Sequence, residues 1–547
     1  MKQILLIITL CPTLTFSQSR KQKKAQEKAD KETLANLQAH VHYLAGDQLE
    51  GRRTGSQGEI LAMQYIGSYF SKAGLEPKGT NGFIQEFTIN EGKQLPEADN
   101  QFVVNDKTLV LNLDYFPLAW SAEGAATGLA SLDLREKGEP WFWDAKDVLE
   151  ENKNNPHFAI DDILREQAAH ASKKGAKALV VFNSSKLNDN ILFNKNDKNK
   201  PAALPVLYLT PRGLKKYFAD ATAIFSVKMK VKMVPASRKA HNVVGYINNN
   251  APYTVVLGAH YDHLGYGEDK NALDTSHEVH NGADDNASGT AALLELARLL
   301  KTSGDKGNNY ILIAFSGEEL GLFGSKYWLD NPTIHGKPNY MINMDMVGRY
   351  NPDKKLTIGG YGTSPVWGQV FSTLPAGNLV VHFDSTGAGP SDHASFYRKD
   401  IPVLFFFTNS HEDYHKASDD WDKINYAGEL DIVKYIQQII TTTTGKGPLP
   451  FNKTTEPQMG AVNLPVTLGV MPDYGFSGTG MRIEAVSKGK LAEKTGLLAG
   501  DVLLQLGDYQ FVDVPSYMQA LRNFKKGDTT TLRLKRGNTE KTFTIQF

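Results

Sequence analysis

The chain has 547 residues, 41% hydrophobic and 22% charged, a length that predicts about three or four domains, each able to bury a core. Lys plus Arg (60) balance Asp plus Glu (60), so no net field draws in nucleic acid or an anionic membrane. Cys11 is the sole cysteine, which excludes an intrachain disulfide framework and a catalytic thiol elsewhere.

The first element is an address. Lys2, the apolar run 4–10, Pro12 and the polar stretch ending TFSQ have the layout of an export signal, with cleavage expected after Ser17. The apolar run is too short to span a bilayer, and no later segment is long and apolar enough to be a transmembrane span. Leu10 is not the small residue that lipid attachment at Cys11 would need. The mature chain is then cysteine-free, expected in a periplasmic or extracellular compartment and stabilised by its cores. The basic run 19–31 reads as a solvated lead-in to the first helix.

Residues 33–89 alternate helical and turn signals. LANLQAHVHYLAG has helical apolar spacing and stops at Gly46, and LEGRRTGSQG is a polar, Gly-rich loop. EILAMQYIGSYFSKAG is an amphipathic helix ending at Gly74, and GFIQEFTI alternates as a strand. From 109 to 234 the texture changes to the β-like runs ALVVFN and LPVLYLT, one helix over Ile160–Lys174 and the polar loop NKNDKNK. That stretch carries no chemistry-bearing cluster and reads as a small α/β insertion.

From HNVVGYI onward, YTVVLGAH, NYILIAFS, YMINMDMV and IPVLFFFT are continuous apolar strands, and ASGTAALLELARLLK is an amphipathic helix. Together they predict an α/β fold with a mostly parallel mixed sheet covered by helices on both faces. A helix over 427–442 closes this unit, and GKGPLPFNKTTEPQ (445–458) has the composition of a linker. In the tail, TLGVMPDY, GMRIEAV, AGDVLLQLG and TTTLRLKRG read as strands, and KLAEKTG and SYMQALRNF as helices. The expected organisation is a signal at 1–17, an α/β unit in two parts (30–105 and 236–444), an insert at 106–235, the linker, and a β-rich unit at 459–547.

Five side chains of metal-ligand type recur in order. They are His260 in GAHYDHLG, Asp285 in NGADDNASG, Glu319 in SGEELGLFGS, Asp345 in NMDMVGR and His415 in EDYHKASDDWDKI. Several follow an apolar strand, and open α/β sheets build their sites at the carboxyl ends of strands. Oxygen and imidazole donors without thiolate suit zinc, with cobalt or manganese as alternatives. Two ions about 3.5–4 Å apart need a bridging carboxylate. Asp285, on a Gly-flanked turn before a helix, is the candidate, which leaves one histidine and one carboxylate for each ion. Asp262 is spaced to accept the His260 imidazole proton and fix the ring. Glu318 is surplus to the ligand count and placed to take a proton from an attacking water. Any one of these residues alone could cap a helix or decorate a loop. The ordered set points to metal-dependent hydrolysis.

Other residues stay open between roles. His393 in GPSDHASFY either orients a ligand or packs, and Tyr414 either donates to a developing oxyanion or packs. Asp284 reads as a turn residue, and His277 and His280 lie in a polar loop that could rim the cleft. The absence of GxSxG at a strand–helix turn argues against a serine nucleophile.

At these residues the chain resembles the M28 zinc peptidases, the family of secreted bacterial leucine-type aminopeptidases. HYLAGDQLEGRRTGSQGEILAMQYI is similar to the family's lead-in, and 178–210 with its surroundings to its protease-associated insert. The resemblance implies two Zn2+ ions, His260 as first histidine with Asp262 orienting it, and Asp285 as the bridge, placed by its spacing from Ser288-Gly289. It also implies a cis peptide between Asp285 and Asn286, Glu318 as base, and Glu319, Asp345 and His415 as the remaining ligands. No ligand position departs from the pattern, although some relatives have lost ligands. The implied activity is removal of N-terminal residues from peptides. A carboxypeptidase or dipeptidase using Arg349 as a carboxylate clamp, and a non-catalytic binding protein on the same fold, are the alternatives. A glutaminyl-cyclase-like reaction fits a paired ligand set less well. The tail is similar to PDZ domains, with TLGVMPDY as carboxylate-binding loop. It would bind a peptide or protein C-terminus by strand addition, the N–H groups of 468–470 holding the carboxylate, or else pack against the peptidase unit.

Overall fold

The apolar runs of the second half pair into one nine-stranded sheet. The computed structural model describes residues 20–547 except 154–157, 159, 190, 198, 270, 275, 354, 455–465, 473–475, 477, 487–489, 513 and 538. The expected signal at 1–17, with Cys11, lies outside the described residues.

Asn309–Phe315, Thr254–His260, Tyr340–Met344 and Val403–Phe407 run parallel, in that spatial order, at the middle of the sheet. Val234–Ile247 on one flank and Leu356–Gly359 on the other pair antiparallel. The middle strands are covered on both faces, which is why their sequences are continuously apolar. One face, with Leu257, Leu312 and Ile342, packs on helices Arg20–Leu44, Gln57–Lys72, Gly289–Thr302 and Tyr426–Thr443. The other, with Val256, Ile311 and Met341, meets Trp328 and Phe396 from two shorter helices. Gly258 permits this packing, because a Cβ there would lie 2.5 Å from the Phe315 ring.

Arg52 locks the N-terminal helices to the sheet. It is fully buried, and its guanidinium donates to Tyr261 O at 2.8 Å, Asn281 O at 2.7 Å, Gly282 O at 3.0 Å and, more closely, Leu44 O. Burial lowers its pKa to about 10, against the opposing pull of Asp285, Asp262, Asp419 and Glu319.

The insert contains two four-stranded sheets. Trp141–Asp144, Leu179–Phe182 and Val206–Leu209 are parallel, with Tyr115–Pro117 antiparallel at the edge. The second sheet is antiparallel, in the order Lys107–Thr108, Gln101–Val104, Phe225–Val231, Gly124–Ala130. Gln101–Val104 was expected with the first peptidase segment, but Phe102 and Val104 bury themselves against Val227 and Met229 of the insert. Val234–Ile247 runs unbroken across the expected boundary at 235, because its first half pairs with Ile84–Gln94 as a ribbon. Besides the expected helix Ile160–Lys174 there are Lys146–Asn152 and Pro211–Tyr217, each too short to show a 3.6-residue period in sequence.

The tail forms a six-stranded sheet around its own core. Val470–Pro472 is an edge strand there, pairing with Met481–Val486, and Gly469 N–H donates to Thr467 Oγ1 at 3.1 Å. The final strand Thr539–Gln546 was not anticipated, since its Thr and charged residues mask the alternation. The expected linker is partly docked. Leu449 N–H donates to Asn339 Oδ1 at 2.7 Å, Asn452 N–H to Thr363 O at 2.8 Å and Thr454 N–H to Tyr397 OH at 2.9 Å. Its last residues, 455–458, lie outside the described residues. Among the described residues no helix is long and apolar enough to cross a membrane.

Candidate metal centre

The candidate ligands gather at the carboxyl rim of the sheet. His260 ends its strand, Glu318 and Glu319 follow Asn309–Phe315, Asp345 follows Tyr340–Met344, and His415 lies beyond Val403–Phe407. Asp285 sits in a π-type turn, Ala283–Ser288, where it and Asn286 leave helical dihedrals and the peptide between them is cis. The helix that follows starts at Gly289, where a Cβ would lie 2.3 Å from Met344 O. Only glycine lets this turn approach the rim so closely.

Asp285 faces both histidines. Its Oδ1 lies 3.3 Å from His260 Nε2, which is also 3.3 Å from Asp345 Oδ1. Its Oδ2 lies 3.1 Å from His415 Nε2, which is 3.2 Å from Glu319 Oε2. Ligands about 2.0–2.1 Å from a tetrahedral zinc sit roughly 3.3–3.4 Å from one another. The donor set therefore fits two such ions, with one Asp285 oxygen turned to each.

The imidazoles are oriented by backbone. His260 Nδ1 lies 3.2 Å from Asp262 O and His415 Nδ1 2.9 Å from Asn271 O. A carbonyl oxygen only accepts, so each Nδ1 carries the hydrogen and each Nε2 keeps its lone pair for the cluster. The Asp262 carboxylate, expected to accept the His260 proton, stands 3.8 Å away, and its own carbonyl is nearer. It is occupied elsewhere, accepting Thr54 Oγ1–H at 2.8 Å and Glu318 N–H at 3.2 Å. Asp262 thus bears on the backbone of Glu318 as well as on His260.

Glu318 belongs to neither donor set, and its Oε2 is 3.9 Å from His260 Nε2. Burial pushes its pKa well up, His260 opposes this, and the neighbouring Glu319, Asp345 and Asp392 add to it. Asp345 is also raised by burial. Carboxylates this close and this buried repel one another unless cations lie among them.

Sequence reasoning missed His263, whose Nδ1 is 2.8 Å from Glu319 Oε1. His263 also lies within reach of Asp285 and Glu319 as a third donor. Its contact with Oε1 leaves Glu319 Oε2 for the His415 side. The missed Asp392 is fully buried, neither of its oxygens has a hydrogen-bond partner among the described residues, and burial lifts it to about 6. The repeat of His in HYDHLG and the acid in SDHAS were the only sequence signals for these two.

Other candidates take supporting places. Asp284 is buried in the turn, accepting Gly348 N–H at 2.7 Å and lying 3.1 Å from His411 Nε2. His393 stacks on Phe405 with centroids 4.2 Å apart, and burial lowers its pKa to about 3, as for a neutral packing ring. Tyr414 stacks on His415 at 3.9 Å. His277 is exposed, and His280 Nε2 lies 3.2 Å from Asp274 Oδ1. Arg349 Nη2 donates to Asp413 Oδ2 at 3.0 Å, while Nη1 stands 3.9 Å from Asp419 Oδ1 and has no hydrogen-bond partner among the described residues.

Residues 242–440 match the sequence model of Peptidase family M28, and residues 457–547 that of the PDZ domain. Residues 242–440 belong to peptidase family M28. The M28 segment contains all five candidate ligands and Glu318, while the N-terminal helices and the insert lie outside it. Over 277 residues the chain is 29% identical to Aminopeptidase YwaD of Bacillus subtilis, covering 48% of this chain and 55% of that one. Over 141 residues it is 36% identical to Leupeptin-inactivating enzyme 1 of Streptomyces exfoliatus, covering 25% and 31%. The chain thus spans about half or less of the length of these two curated relatives. Among solved structures it is similar to an aminopeptidase from Aneurinibacillus sp. strain AM-1, with 19% identity, TM-score 0.43, and 79% and 98% of the two chains covered. The zinc aminopeptidase BSAP of Bacillus subtilis gives 20% identity, TM-score 0.41, and 77% and 96% coverage.

Proposed function

We propose that this chain is an exported two-zinc aminopeptidase that removes N-terminal residues from peptides. The observation that carries the reading is Asp285, with one oxygen turned to the His260–Asp345 pair and the other to the His415–Glu319 pair. His260, Asp285 and Asp345 would hold one ion, and Asp285, Glu319 and His415 the other. When bound, the ions supply Lewis-acid polarisation of the scissile carbonyl and acidify the attacking water.

The chain's own groups do the rest. Glu318, which lies outside both donor sets, accepts the proton of the attacking water at its carboxylate and passes it to the departing amine. Asp262 holds the Glu318 N–H, and its backbone carbonyl keeps His260 in the tautomer that presents Nε2. The surplus of buried acids favours a substrate that brings a free ammonium group.

In this reading the peptidase unit is built from two segments around the insert, and the PDZ tail takes up chain ends along its edge strand Val470–Pro472. The test is to purify the mature protein, measure its metal content, and offer free-amine, N-blocked and C-terminal substrates side by side. Two zinc ions per chain with cleavage of the free-amine substrate alone is the expected result. Cleavage that survives N-blocking, or that needs a free carboxylate, would replace the aminopeptidase reading.

A further inference from the structure

The two halves of the metal centre are supported unequally. His260 and Asp345 sit directly at the ends of central strands. His415 instead lies in a loop, with its backbone in the left-handed region at φ 55. A residue with a Cβ holds that conformation only where its surroundings impose it.

What imposes it is a second loop, 264–280. Leu273 N–H donates to His415 O at 2.8 Å, and Asn271 O accepts from the His415 ring at 2.9 Å. Asp274 Oδ2 accepts Ala417 N–H at 2.9 Å. The same loop reaches the other ligand of this half, Asn271 Nδ2 donating to Glu319 O at 3.3 Å.

The loop is in turn pinned at Asp269. Its Oδ2 accepts from Arg53 Nε at 2.8 Å and Arg238 Nη1 at 2.9 Å, and its Oδ1 from Arg53 Nη2 and Arg238 Nη2, both at 2.9 Å. Arg53 adjoins the buried Arg52, and Arg238 lies on the sheet strand Val234–Ile247, where it also pairs closely with Glu91. One carboxylate thus ties the loop to two fixed elements through two planar forks, the strongest ion-pair geometry available to arginine. Burial opposes its charge, but Arg238 and Arg53 hold the carboxyl down at about 2.

We propose that Asp269 is a positioning residue for the His415–Glu319 half of the metal centre, acting through the 264–280 loop and leaving the His260–Asp345 half untouched. The inference rests on the two-metal reading above. Asp269→Asn keeps the size of the side chain but turns an amide N–H toward two guanidinium groups. Arg53→Lys keeps the charge and loses one fork.

The experiment measures zinc affinity by chelator competition, and the occupancy of each position by anomalous diffraction at the zinc edge, in full-length wild type and both variants. In Asp269→Asn the ion at His260 and Asp345 should stay, while the other weakens about tenfold or more, the usual scale for outer partners of ligands. Arg53→Lys should shift the same position in the same direction by less. Equal weakening of both positions, or no weakening, overturns the proposal, because general destabilisation does not select one ion. Should Asp269→Asn fail to fold, the split in Arg53→Lys decides. A wild type that binds a single ion defeats the two-metal reading, and this inference with it, before any variant is compared.

Discussion

Asp419 holds the backbone of Asp285. Its Oδ2 accepts the Asp285 N–H at 3.0 Å and the adjoining Asp284 N–H at 2.9 Å, so one buried carboxylate fixes the turn that carries the candidate bridge. Asp285 faces both halves of the centre, so loss of this support should be felt by both ions. Asp419→Ala is expected to weaken both by about 10–100-fold, in contrast to the one-sided effect expected at Asp269. A chelator competition that finds one ion weakened and the other intact would show that the turn is held by something else.

Glu318→Gln should bind two metal ions as tightly as wild type and lose most turnover. The substitution keeps the side chain's shape, and Glu318 is outside both donor sets. General acid–base catalysis is typically worth about 10²–10⁴-fold, which sets the expected loss in kcat. Near-normal kcat in a fully loaded Glu318→Gln protein would move the proton-transfer role to another group.

Acid should loosen the helical face of the peptidase unit through Glu295. Burial works against its charge, but contacts to His40, Arg298 and Tyr69 lower its pKa from the ordinary 4.5 to about 2. A depressed carboxylate stabilises fully above its unfolded pKa and loses that contribution as pH falls through the folded value. The window is therefore from pH about 4.5 down to about 2, and the contribution at neutral pH is about 3 kcal/mol. Glu295→Gln should be less stable than wild type at pH 7, with the gap closing toward pH 2 in thermal unfolding. A gap that is constant with pH would mean that Glu295 acts by packing alone.

A chain ending after Thr454 should remain folded, bind metal and cleave the smallest aminoacyl substrates. Every candidate ligand precedes this point, and residues 449–454 are bonded to Asn339, Thr363 and Tyr397, so a cut before Leu449 should be more damaging. Cleavage of long peptides should fall if the PDZ groove gathers chain ends. Loss of small-substrate turnover in a folded, metal-loaded truncation would place part of the tail in the active site.

The sequence by itself made the five candidate ligands, the central strands and the extra C-terminal unit legible. Buried parallel strands must be continuously apolar, and residues at their carboxyl ends converge whatever the loops between them do. Tertiary structure alone decided how those residues are held. That His415 is oriented by the carbonyl of Asn271, Glu319 by His263, and the 264–280 loop by Asp269 between Arg53 and Arg238, depends on segments far apart in the chain. Backbone acceptors carry no side-chain signature, and a carboxylate reads the same in sequence whether it ligates, pairs or caps. The same limit hid the choice at Asp262, where a small difference in reach sets a carbonyl rather than the carboxylate beside His260. It also hid the antiparallel sheet of the insert, whose short strands gain their burial only from partners across the chain.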